Sequence, residues 1–391
     1  MSLFADSQFF ICAAIFAIIS VIIGLKGRSQ KYIGFIASAF FVFMAMKEKP
    51  IALVYLVIFL AFQWLLVTSY LAIVKKYGKK QSFYWLYIFL SLAFLIIYKL
   101  TSLAGKGILG FIGISYVTFR SVQMILEIYD GLIKEVKLFD FLYYMIFFPC
   151  LLAGPIDRSQ RFEKDIYRIL PRQEYLEKVG KGIETLLLGV VYKFIFGGLA
   201  FAACNHFRTI TGIENQLVYM YTYGIYMFFD FAGYSYMAIG MGSFFGIDVP
   251  RNFNAPFIAV DIKDFWDRWH ITLSHWFRDY LFSRLMMRAT KAKWFGSKLT
   301  RASIIFMINM TVMGVWHGLT LDYIVYGLYH GVLLAITEVY QKKSKFHKKH
   351  KKDKWYKFFS WLITINLVMF GFYIFSGRCG VVLQKLIIKY S

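Results

Sequence analysis

The sequence predicts an all-α, polytopic membrane protein, and three observations predict it. Apolar residues make up 59% of the 391, and charged residues only 17%. Apolar runs long enough to cross a bilayer core, which takes about 20 residues per helix, recur along the whole chain. The cations, which leave a net charge of +23, sit in short blocks between those runs, the pattern of cytoplasmic loops. That pattern accounts for a charge that in a soluble chain would point to nucleic acid, so no nucleic-acid partner is expected. The alternating segments of about 10 residues that mark a transmembrane barrel do not occur. Cys12, Cys150, Cys204 and Cys379 have neither paired nor metal-ligand spacing, so neither a disulfide framework nor a metal site is expected.

Taken in order, residues 8–25 read as a retained first helix: the preceding residues lack a basic region, and no convincing small-residue cleavage site follows. The basic block at 26–31 then lies in the cytoplasm, which puts the N-terminus outside. Residues 33–46, 51–74 and 82–100 cross in turn, separated by 47–50 and the lysine-rich 75–80. Residues 111–130 differ, because Arg120, Gln123, Glu127 and Asp130 interrupt the apolar pattern at one-turn spacing. Two readings of that face are open: a polar seam satisfied by neighbouring helices, or the lining of a water-filled cavity.

Residues 138–156 are flanked by charged stretches on both sides. If both flanks are cytoplasmic, the run is a re-entrant segment, or two half-length helices broken at Pro149. Broken backbone at depth is tolerated only where protein or a water-lined cavity satisfies it. Residues 183–203 and 217–245 cross next, the second carrying Asp230 in an apolar setting, where a carboxylate needs a partner. In 261–288 charge and aromatics alternate at helical spacing, as in an amphipathic helix lying at the interface, with Trp266, His270, Leu273 and Phe277 on one face. Residues 303–316, 322–340 and 358–376 complete ten spans and return the C-terminus to the outside. The loop at 342–357 holds nine lysines, and topology, lipid contact and steering of an acidic partner are all open readings of it. The whole of 1–391 reads as one integral-membrane domain.

His317 closes an apolar run between Gly314 and Gly318. An ionisable side chain there is expensive and marks a functional candidate. An apolar pocket favours neutral imidazole, which is a competent general base. His270 is a second candidate, with Asp267 and Ser274 as orienting groups if its helix is continuous. His275 falls on another face. Asp230, Arg120, Gln123, Trp316 and Ser274 are candidate cavity-lining residues. Cys150 could in principle carry an acyl group, but a small buried hydrophobe is the favoured reading. No nucleophile elbow, phosphate loop or dinucleotide fingerprint occurs.

Six stretches together carry a resemblance: GISYVTFRSVQ (113–123), FFPCLLAGPIDRSQRF (147–162), YMFFDFAGYSYMAIG (226–240), NFNAPF (252–257), DFWDRWHITLSHWFRDY (264–280) and MGVWHGLTLDYIVYGLYHG (313–331). The chain resembles the membrane-bound O-acyltransferase (MBOAT) family, in particular the branch that D-alanylates the teichoic acids of Gram-positive bacteria. CLLA at 150–153 departs from the small and polar residues of that branch. The resemblance implies a cell-membrane enzyme with a ring of about 10–11 transmembrane helices, plus re-entrant and interfacial helices, around a central funnel. It implies His317 as the catalytic histidine and His270 at the second motif position.

The resemblance also implies no cofactor bound to the chain itself. The D-alanyl donor would be a phosphopantetheine thioester on an acidic cytoplasmic carrier protein. The acceptor would be lipoteichoic acid, or an intermediate acceptor protein, on the outer side. Arg284, Met286, Met287 and Arg288 form a candidate docking platform, since methionines adapt to an apolar patch and arginines meet an acidic rim. Two alternatives stand beside this one. An alginate-type O-acetyltransferase would use the same histidine with another donor. A transporter or flippase of acyl groups would use the histidines and Asp230 as a proton relay, although no inverted repeat is evident.

Overall fold

The computed structural model describes residues 1, 3–208, 210 and 212–382. Among them every regular element is helical. The chain forms two compact units, residues 1–190 with 233–251, and 191–232 with 252 onward.

The first unit contains α1 (Ser7–Leu25), α2 (Lys31–Met46), α3 (Pro50–Tyr77), α4 (Gln81–Leu103), α5 (Ile114–Asp130), α6 (Leu138–Ile146), α7 (Ser159–Tyr167) and α8 (Arg172–Val190). Asp6 starts α1 by accepting from the Phe9 amide at 2.7 Å, which satisfies one of the free N–H groups of a first turn. Gly131 ends α5 in the left-handed region at φ 85°, a conformation open to glycine at little cost. Close packing sets the Gly34 position, where a Cβ would lie 1.9 Å from the Tyr143 hydroxyl.

After α6 the chain breaks at Phe147 and makes a short 3₁₀ turn over Phe148–Cys150. The helix thus ends at Ile146, before Pro149, and a single 3₁₀ turn followed by irregular chain stands where a second half-length helix was one of the two expectations. The carbonyls it frees are taken up by the Arg120 guanidinium, which bonds the Tyr144 oxygen, Met145 at 3.0 Å and Cys150 at 2.7 Å. Arg120 is 2% exposed, so this hydrogen bonding is what makes its burial tolerable. Phe148 packs on Phe41, Phe9 and Phe245 in the same core.

The second unit contains α9 (Gly197–Arg208), α10 (Ile213–Phe244), α11 (Ile262–Trp266), α12 (Ile271–Phe277), α13 (Ser283–Lys291), α14 (Lys298–His317), α15 (Leu321–Lys343), α16 (Lys345–His350) and α17 (Lys354–Phe375). The end of α10 from Gly233 belongs to the first unit. A π-turn over Val191–Phe196 joins α8 to α9. α14 and α15 form an antiparallel hairpin with its backbones in close approach. A Cβ on Gly314 would lie 2.3 Å from the Tyr323 oxygen, and one on Gly327 2.4 Å from the Met310 oxygen. Small residues at the crossing are what permit this separation.

Each of the ten expected spans has a helix. Among the described residues, six helical runs are both long and apolar enough to cross a membrane: Ser7–Leu25, Pro50–Tyr77, Gln81–Leu103, Arg172–Arg208, Lys298–His317 and Lys354–Phe375. Lys31–Met46 is apolar but shorter. The other three, α5, α10 and α15, carry the polar residues that the sequence places in these runs. The protein is thus an all-α, multi-pass membrane protein. The expected outer position of the C-terminus concerns residues beyond 382, outside the described residues.

The run expected to be one interfacial helix over 261–288 is in pieces. α11 stops at Trp266, α12 starts at Ile271, and a π-turn over Arg278–Phe282 precedes α13. The cause is His270, whose backbone is left-handed at φ 43°, ψ 51°, a conformation a helix of L-residues cannot contain. Trp266, His270, Leu273 and Phe277 are nevertheless all buried.

Candidate active site

His270 and His317 both lie in the second unit. His317 is the last residue of α14, half-buried, and enclosed by rings. Phe375 stands perpendicular to it at 5.1 Å, Tyr323 stacks at 6.2 Å, Tyr326 meets it edge-on at 6.2 Å and Trp316 lies at 4.7 Å. Gly318 makes room for this cage, because a Cβ there would fall 2.2 Å from the Tyr323 ring. The imidazole is thus packed laterally while part of it stays reachable.

His270 caps α12 and is 3% exposed. Phe231 stands edge-on to its ring at 4.6 Å. Its Nε2 is buried and has no hydrogen-bond partner among the described residues. Burial, and secondarily the nearby His317 imidazole, hold its pKa well below the ordinary histidine value. Burial thus disfavours the charged form of this imidazole.

The residue that positions His270 was not singled out from the sequence. Asn252 is fully buried. Its carbonyl accepts from the Ile271 amide at 2.9 Å, and its Oδ1 accepts from the Thr272 hydroxyl at 2.6 Å. The Asn254 amide donates to the Arg268 carbonyl at 3.0 Å. The NFNAPF loop thus clamps both flanks of His270 and stabilises a strained backbone. Beneath it Trp269 packs against Phe253, Phe265 and Phe372. α11 is tied to the far end of α15 by Lys263–Glu338 and by Gln341 donating to Asp261 at 2.9 Å.

The break at His270 removes the helical relation that would have made Asp267 and Ser274 its orienting groups. Asp267 is largely exposed and faces Arg278 at 3.9 Å. The Ser274 hydroxyl donates to the Trp269 carbonyl at 3.2 Å. Asp230 has the partner its setting requires, the Lys193 ammonium from the π-turn. Lys193 interrupts a run otherwise apolar, and that was the signal available. Arg120 and Gln123 belong to the first unit. Arg120 is engaged as described, while the fully buried Gln123 amide has no partner among the described residues. Cys150 is buried at 2% exposure.

A cavity of about 250 Å³ lies within the second unit. Trp266, Asp267, Ser274 and His275, which flank His270 in the chain, form one wall, and Phe306, Asn309, Met310 and Met313 of α14 form another. Lys263 and Arg278 also line it. Two of its polar atoms, Trp266 Nε1 and Asn309 Oδ1, are buried without a partner among the described residues. On α14, Asn309 precedes His317 by about 12 Å of helix. On α13, Arg284 lies over the Tyr280 ring and Arg288 over Trp294, while Met286 is half-buried and Met287 is 65% exposed.

Two imidazoles in one unit, one half-open and one buried where the charged form is disfavoured, suit proton transfer to or from a substrate hydroxyl. The comparisons with known proteins agree with such chemistry. The model of the MBOAT, membrane-bound O-acyltransferase family, matches residues 53–376. Teichoic acid D-alanyltransferase of Bacillus subtilis (strain 168) is 37% identical over 97% of this chain and 98% of its own length. The protein of the same name from Streptococcus thermophilus is 38% identical over 92% of each. The probable alginate O-acetylase AlgI of Pseudomonas syringae pv. tomato is 34% identical over 68% of this chain but 49% of its own length. By a family match across most of its length, this acyltransferase belongs to the membrane-bound O-acyltransferase family.

Proposed function

We infer that the protein transfers D-alanine to teichoic acid, with His317 as general base. The observation that carries this reading is a half-open, ring-caged His317 and a buried His270 in one unit, beside a cavity walled by residues of α14 and by residues that flank His270 in the chain. Near end-to-end matches to two teichoic acid D-alanyltransferases favour D-alanine over acetyl as the group moved. The alginate O-acetylase extends well beyond the region it shares with this chain.

In the reaction the His317 imidazole takes the proton of an acceptor hydroxyl. That oxygen attacks the carbonyl carbon of a D-alanyl thioester, and a tetrahedral oxyanion forms. The C–S bond then breaks, the thiolate leaves with the proton from the imidazolium, and an oxygen ester remains. His270 orients the acceptor or the thioester, or hands the proton on. The donor is a thioester on the phosphopantetheine arm of an acidic carrier protein in the cytoplasm. The cavity fits such an arm: Met310, Met313 and Phe306 flank a slender chain, the unpartnered Trp266 Nε1 and Asn309 Oδ1 match an amide, and Arg278 and Lys263 meet a phosphate. Arg284, Met286, Met287 and Arg288 receive the carrier. The acceptor, lipoteichoic acid or an intermediate protein, approaches His317 from the outer side.

The test is reconstitution of the purified protein with a carrier loaded with D-alanine or with acetate, following thioester loss and ester gain. Turnover of the D-alanyl carrier alone supports the reading, and turnover of the acetyl carrier alone overturns it.

A further inference from the structure

The lysine-rich loop and the groove beside it belong to the second unit and take no part in the chemistry above. α15 runs past the start of α14 and ends in Lys342 and Lys343. Along its outer side lies an open groove of about 610 Å³, walled by Ala335, Ile336 and Val339. Tyr340, Lys343 and Ser344 close one end of it, and Ser303 of α14 also lines it. The groove is therefore largely apolar along its length and cationic at one end only.

The surroundings continue the asymmetry. Residues 342–357 carry nine lysines. Two large aromatics stand exposed among them, Phe346 at 52% and Trp355 at 48%, their rings 6.0 Å apart. Exposed tryptophan beside lysine is the composition of a headgroup layer, where the ring sits at the interface and the ammonium reaches phosphate. Ile336, on the groove wall, is 59% exposed, which suits contact with an acyl chain rather than water.

We propose that this groove binds an anionic phospholipid of the surrounding leaflet. One acyl chain lies along Ala335, Ile336 and Val339. The phosphate sits at Lys342 and Lys343. The combination favours a lipid over an acidic protein, because a protein patch would need the lysines and not the apolar trough leading away from them.

The experiment uses the full-length protein purified in detergent. It is titrated with phosphatidylglycerol or with phosphatidylcholine of the same chains, and bound lipid is counted by native mass spectrometry. The wild type should retain phosphatidylglycerol preferentially. Lys342→Gln with Lys343→Gln should weaken phosphatidylglycerol roughly 25-fold, at about fivefold per lysine near the headgroup, and leave phosphatidylcholine unchanged. Ile336→Trp fills the trough without touching the charge, and should weaken both lipids while preserving the preference. Equal retention of the two lipids by the wild type would overturn the proposal. So would indifference of lipid binding to either variant. If the double lysine variant loses binding of an acidic carrier protein while holding phosphatidylglycerol as before, the block serves a protein and the proposal falls.

Discussion

Asn252→Ala tests whether a residue remote from the chemistry sets the position of His270. The substitution removes Oδ1 and with it the 2.6 Å bond from the Thr272 hydroxyl, in a site with no exposure. Losing such a bond, with its donor left buried, costs about 1–3 kcal/mol. The same clamp offsets the roughly 1–2 kcal/mol by which a non-glycine residue disfavours the left-handed conformation of His270. Without it, the productive conformer loses population by a factor of about 5 to 150, at 1.4 kcal/mol per tenfold. D-alanyl transfer by purified enzyme should slow by that factor, mainly in kcat. Thr272→Val deletes the donor from the other side, so the two substitutions should be non-additive by about 0.5–3 kcal/mol in a double-mutant cycle. In a His270→Gln background, Asn252→Ala should add little. A variant that melts earlier yet turns over within twofold of wild type would refute the positioning role, as would simple additivity.

Further outcomes follow from the same geometry. Gly314→Ala places a methyl 2.3 Å from the Tyr323 oxygen; separating α14 from α15 should cost about 1–3 kcal/mol and displace His317, lowering both melting temperature and turnover. Gly371→Ala drives a methyl to 2.4 Å from Nε2 of the fully buried His330, and a fall in melting temperature should accompany it. Because the pKa of His270 lies well below the ordinary value, this residue should not titrate between about pH 6 and 8. The residual activity of His270→Gln should therefore keep the wild-type pH profile over that range, and a lost or shifted limb would contradict neutrality. Arg288→Glu should raise KM for the loaded carrier about fivefold at low salt with kcat unchanged, an effect that salt erodes; a pure kcat effect would remove α13 from carrier docking.

Much of the fold was legible because apolar runs and basic blocks are both long signals. The ten helices follow from them, and the proline with flanking charge announced an interrupted run over 138–156, although the helix ends at Ile146 and no second half-helix follows. His317 was legible because an ionisable ring at the end of an apolar run is costly to keep there without a use for it. Its cage was only partly so: Trp316 is adjacent, but Phe375 comes from another helix. The continuous helix expected over 261–288 failed at one residue. Alternating charge and aromatics hold helical spacing on both sides of His270, and nothing in them announces a left-handed residue. That conformation depends on Asn252, eighteen positions away, and a side chain bonding to distant backbone leaves no periodic trace. Arg120 posed the same difficulty. Its spacing matched a cavity lining as well as a seam, and only the freed carbonyls of 144–150 show what its guanidinium binds. Asp230 called for a partner, but Lys193 came from a π-turn that no pattern in the sequence foretold.

The central claim is that His317 is the base of a D-alanyl transfer. The most direct measurement is the D-alanine ester content of the envelope in cells lacking the native protein, complemented at matched expression with wild type or His317→Ala. Ester restored by wild type and absent with His317→Ala is the predicted result. Full ester content with the alanine variant would contradict it and move the role to His270 or to another protein.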